Sequence, residues 1–264
     1  MILRSVIKHV RGQEWTAVFL DFLIVVVGVG VAMVGQQWLG DRQQRADMRV
    51  AETALQEDLF NNYLYAKERL AVAECRKQAY HAIAEKLLAP GEDWAGMPRV
   101  NTDDTFKPAL PVLLRSPGRN WGSRIWQAGL ARGTFNQMDD GLRNSLDQTF
   151  KQTQLAEVLQ RDISTLQGRI NTLAVTTTIG KSDRLRYYDM LGEMDNKSHI
   201  LELISSQMIA AIEEIGINLP TEDRRELHEN LAQGNERRAA VYGACYIPIK
   251  MPIFDAYLRE ETTP

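Results

Sequence analysis

Four kinds of residue in this chain could do chemistry, and their spacing decides which chemistry is open to them. His81 and Glu85 stand one helical turn apart and could share a metal ion, yet such a lone pair is common on solvated helices. The other histidines, His9, His199 and His228, are scattered and add no third ligand nearby. Tyr187 and Tyr188 beside Arg184 and Arg186 could receive an anion; the plainer reading is a packed tyrosine with basic residues on a wet face. Trp121 and Trp126 could shape an aromatic pocket or a partner-binding edge, although tryptophans so placed more often pin a loop onto a helical core.

Cys75 and Cys245 are the only cysteines, too few for a thiolate zinc site or a disulfide-rich scaffold. In an oxidising compartment they could form one bridge, which would close a loop of about 170 residues and stabilise by about 4–5 kcal/mol in the chain-entropy description. Two separate buried thiols stand equally open. The signatures of phosphate binding, hydride transfer, acyl transfer and zinc proteolysis all fail together. The reading is a protein without catalytic residues, metal or cofactor.

The most informative acid is Asp21, because it interrupts an apolar run. Phe22 to Val34 are uninterrupted apolar residues and Ala17 to Leu20 extend them, so that about 19 residues from Ala17 to Gly35 could cross a hydrocarbon core of about 30 Å. Trp15 and Trp38 stand where an aromatic belt would place them. A carboxylate inside such a span costs about 2.5–3.5 kcal/mol on insertion scales, which points to a partner helix or to a place near the interface. Gly28 and Ala32 make a small-xxx-small pair and Gly35 follows Gly28 by seven residues, a pattern that lets a second helix approach closely. A cleavable signal peptide is the competing reading, since Gly30-Val31-Ala32 offers small residues after an apolar core. The long polar N-region and Asp21 favour an uncleaved anchor.

Ahead of the span, Ile2, Leu3, Val6, Ile7 and Val10 alternate with Arg4, Lys8, His9 and Arg11 at helical spacing. Residues 1–14 are therefore predicted to lie amphipathically in the headgroup layer, with Arg4, Lys8, Arg11, Trp15 and Trp38 at the membrane interface. Arg42, Arg45 and Arg49 beyond the span balance the basic residues before it, so orientation rests on a narrow margin. The reading is N-terminus inside, C-terminal domain outside.

The elements behind the span are helical. The chain of 264 residues can hold one domain of roughly 200 residues beyond its anchor. Its 31 basic and 34 acidic residues are spread out, not gathered on a basic face, which argues against nucleic acid as a partner. No proline or glycine falls between Asp41 and Ala89, and an apolar stripe through Leu55, Leu59, Tyr63, Ala66, Leu70 and Ile83 predicts one long juxtamembrane helix. Pro90, Pro98, Pro108, Pro111 and Pro117 mark residues 90–122 as a proline-rich excursion. Helices are then predicted over Ser123 to Ala131, from Asp139 and Asp140 to about Leu173, from Ser182 to Ile217, from Thr221 to about Ala232, and from Glu236 to Cys245. The β-branched stretch Val175 to Ile179 is expected to close or kink the second of these. The fold class expected is all-α: residues 15–38 a single transmembrane helix, residues 39–264 a helical-bundle domain.

The run from Trp15 through Asp21 to Gly28, with its basic N-terminus and the following Gln36, Gln37 and Trp38, resembles the start of an uncharacterised family of single-span bacterial envelope proteins. Trp126, Gly129, Gly133, Asp139 and Leu142 are compatible with that family's helical domain, while Gly30 stands where the family has a bulky residue. The resemblance implies topology and a bacterial inner-membrane address, without a mechanism. Together these readings predict a non-catalytic accessory or scaffold subunit whose partners are the lipid bilayer and other integral membrane proteins or a second copy of itself. The alternative is a membrane-anchored sensory or small-ligand-binding domain, because helical bundles can hold ligands between their helices.

Overall fold

The computed structural model describes residues 15–97, 117–217 and 221–252, with backbone alone for residues 15–18, 21 and 221–228. The basic segment around Arg4, Lys8 and Arg11 and the middle of the proline-rich excursion lie outside the described residues. The protein is mostly helical and divides into two compact units, Met1–Ala51 and Glu52–Pro264.

Helix α1, Trp15–Ala71, belongs to both units. In the first unit it carries one apolar stretch long enough to cross a membrane by length and composition. In the second unit the stripe Leu55, Leu59, Tyr63 and Ala66 is buried, as an amphipathic face should be. The sequence predicts this helix to continue unbroken to Ala89; instead it ends at Ala71 and α2, Ala73–Leu88, begins after Val72. No proline or glycine causes the break. The carbonyl of Ala71 accepts the N–H of Ile247 at 3.0 Å, so a distant part of the chain occupies a group that an unbroken helix would use itself.

Helix α3, Arg124–Arg132, ends on Gly133, whose φ of +70° is a left-handed conformation that favours glycine. Helix α4, Asp140–Ile170, is capped by Asp139, which accepts the N–H of Leu142 at 3.0 Å. A 3-10 turn over Asn171–Ala174 leads out of α4. One short ribbon accompanies the helices: Thr177–Thr178 form a strand, β2, paired antiparallel with β1, Asp93–Trp94. The β-branched residues after α4 thus end the helix by pairing in extended form with the start of the proline-rich excursion.

Helix α5, Lys181–Ile215, packs along α4, with Gln152 bonded to Gln207 and Asp162 to Lys197, and so runs antiparallel to it. The two short helices expected after Thr221 are one, α6, Thr221–Tyr242. Gly234 lies inside it, and the Arg238 guanidinium passes close over it, with Nη1 2.6 Å from where a Cβ would stand. A 3-10 turn, Gly243–Cys245, then delivers an extended tail. The core lies where α2, α4 and α5 meet the β ribbon: Tyr80, Ile83, Leu87, Trp94, Ile170, Leu173, Leu191 and Met194 form one buried cluster. Each such large side chain contributes about 1.5–3 kcal/mol on leaving water.

Candidate functional site

A run rich in valine forms a stretch of α1 that is apolar all round, and among the described residues its side chains are not covered by other protein. From Phe19 to Leu39 every residue with a described side chain is exposed, among them Phe22 at 66% and Val34 at 65%. Ala32 is exposed too, and a Cβ added at Gly28 or Gly35 would meet nothing within 4 Å. Trp38 is exposed at the end of this run, with the Arg42 guanidinium 5.5 Å from its ring centroid. Asp21 and Trp15 are helical, their side chains not described.

The other chemically capable residues are occupied in holding the fold. Arg184 is buried and donates to four backbone carbonyls: Ile179 at 3.1 Å, Lys86 at 3.0 Å, Ala89 at 3.2 Å and Asp93 at 3.0 Å. It thereby caps the C-terminal end of α2 and ties it to the ribbon. Arg186 points elsewhere, to Asp183 at 3.4 Å, and Tyr187 shares a hydrogen bond with Thr172 at 2.9 Å, so these residues do not converge on an anion site. His81 and Glu85 meet at 3.3 Å on an open face. Among the described residues no group of three or more His, Cys, Asp and Glu is placed to hold a metal.

Both tryptophans pin structure. Trp126 is stacked between Phe135 and Phe150, with ring centroids 5.0 and 5.6 Å away. Trp121 donates to Gln160 at 3.2 Å and meets Tyr65 edge-on. Residues 117–122 are secured along α1 and α4 by successive bonds: Arg69 to the Pro117 carbonyl at 3.0 Å, Gln160 to the Arg119 carbonyl at 2.6 Å, and both faces of the Asn62 amide to Gly122.

A seam of buried charge runs up α1 into α2, and sequence reading missed it. Glu68 is buried and accepts a bidentate pair from Arg119, at 2.6 and 2.8 Å, together with Arg238 from α6. Arg69 is 2% exposed, and burial pulls its pKa down to about 10. Arg76 joins Glu202 at 2.8 and 3.2 Å and also contacts Asp195, linking α2 to α5. The signal was present: Asn62, Arg69 and Arg76 recur every seven residues, a polar line on one helix face that an apolar-stripe reading assigns to solvent.

Beside this seam Cys75 and Cys245 are joined by a disulfide, with Cα atoms 5.0 Å apart. The tail behind Cys245 is held further by Asn235, which accepts from Tyr246 at 2.6 Å and from the Ile249 N–H at 3.0 Å, and donates to the Ile249 carbonyl at 3.0 Å. No family model, curated protein or solved structure matches this chain.

Proposed function

We propose that this chain is a non-catalytic, single-pass accessory or scaffold subunit of the bacterial inner membrane. In this reading residues 15–38 cross the bilayer with the N-terminus in the cytoplasm, and the helical bundle behind them stands in the periplasm and contacts other membrane proteins. One observation carries it: the described side chains of α1 from Phe19 to Leu39 are bare, and lipid or a second apolar helix would cover them. Gly28, Ala32 and Gly35 supply a face for close helix approach, and Asp21 a polar contact within it.

The Cys75–Cys245 bridge supports an oxidising compartment for the domain. The engagement of Arg184, Glu68, Arg76 and Glu202 with backbone and with one another supports a framework role. Replacing Asp21→Asn and Gly28→Leu should each reduce recovery of partner membrane proteins, or of a second copy, after mild detergent extraction. Unchanged recovery with both replacements would sink helix docking. A ligand-dependent shift in melting would instead favour a sensory or ligand-binding domain.

A further inference from the structure

Trp38, Arg42, Arg45 and Arg49 follow one another at steps of four, three and four residues, which puts them on a single stripe of α1 about 60° wide. All four are exposed, and the stripe starts where the bare apolar run ends. The Arg42 guanidinium lies over the Trp38 ring, and Arg45 donates its Nε to the backbone carbonyl of Asp41 at 3.2 Å. Neither arginine pairs with a carboxylate among the described residues, so their remaining donors face outward. Asp47 lies on the opposite side of the helix and Asp41 flanks the stripe.

We propose that Arg42 and Arg45 bind the phosphates of anionic phospholipids in the leaflet on the domain side of the membrane, with Trp38 as the interfacial anchor beneath them. This rests on the reading of residues 15–38 as a span. At 1.5 Å per residue, Arg42 stands about 6 Å beyond Trp38, within the headgroup layer, and Arg45 about 10 Å beyond, from where its long side chain can reach back to the same phosphates. Arg49, about 16 Å beyond, adds attraction within a Debye length of that surface. The planar guanidinium matches a phosphate with two parallel bonds, and the Trp38 face holds one such group at the level where phosphate begins. Charge complementarity and covalent continuity with the apolar run select lipid over an acidic protein surface.

The test reconstitutes the full chain and its Arg42→Gln/Arg45→Gln variant in vesicles of phosphatidylcholine with phosphatidylglycerol, extracts each gently, and weighs the retained lipids by native mass spectrometry. The wild type should retain phosphatidylglycerol several-fold above its share of the bilayer, and the variant and high salt should each bring that ratio back toward the bilayer value. Equal enrichment in both proteins, each resistant to carbonate washing, overturns the stripe and leaves the span intact. Removal of the wild type by carbonate overturns the span and the lipid site with it.

Discussion

The N–H of Ile247 donates to the carbonyl of Ala71 across 3.0 Å, at the residue where α1 ends. Cys75 and Cys245 are bonded one turn further on, and Arg238 reaches Glu68 one turn before, so three attachments hold the C-terminal segment against the break in the helix. The chain between them closes into one loop, and the bridge restricts the unfolded state more than any other covalent feature here. Reduction, or Cys75→Ser with Cys245→Ser, is expected to cost about 2–5 kcal/mol. Melting of the detergent-solubilised protein with and without a dithiol measures it. The double variant should show no response to the dithiol.

Arg184→Met removes the buried donor shared by four backbone carbonyls and should destabilise by about 3 kcal/mol. Hydrogen exchange should rise first at residues 89–95, which this side chain ties to α5. Uniform exchange across the domain would argue against a local clamp.

Glu202→Leu leaves the Arg76 guanidinium buried with Asp195 alone and is expected to cost about 3 kcal/mol. The double variant Arg76→Leu with Glu202→Leu should recover part of that loss, because no charge is then stranded. A double-variant cycle in denaturant reads the coupling.

How much of this was legible in the sequence varies with the distance of the cause. Helix α4 announced itself through Asp139, and α3 through Gly133, because cap and glycine conformation are local matters. The break at Val72 had no local sign, since the group that causes it lies far along the chain at Ile247. The expected gap between Ala232 and Glu236 is helical even though Gly234 costs about 1 kcal/mol there, and the Arg238 side chain crosses that glycine toward Glu68. The charged seam was hidden for the same cause: what covers Glu68, Arg69 and Arg76, residues 117–122 with α5 and α6, lies far along the chain. In the apolar run the opposite holds. Its apolar character on every side follows from composition alone.

Gly129→Ala tests the aromatic stack. A Cβ there would fall 2.0 Å from Cε2 of Phe135, whose ring lies on Trp126. The gain in helix propensity should be outweighed, for a net loss of about 1–3 kcal/mol in thermal or denaturant unfolding.

Asp58 gives a pH dependence. Burial, with help from Glu57, holds its carboxyl above the ordinary value of 3.8, so the folded chain keeps a proton that the unfolded chain has released. The stability from the protonated form is complete below the ordinary value and is lost as pH rises through the folded one. Asp58→Asn should therefore stabilise slightly at neutral pH, with the advantage fading as pH falls through the raised folded value and gone below about 4. An advantage that grew toward acid would reverse this assignment.

The central claim is that the bare face of α1 meets other membrane helices, and the most direct measurement is gentle detergent extraction of the wild-type chain from native membranes, with sizing and identification of everything that accompanies it. A membrane-integrated complex is expected, in which defined integral membrane proteins, or a second copy of the chain, occur in fixed ratio. A lone monomer in a lipid–detergent shell would contradict it.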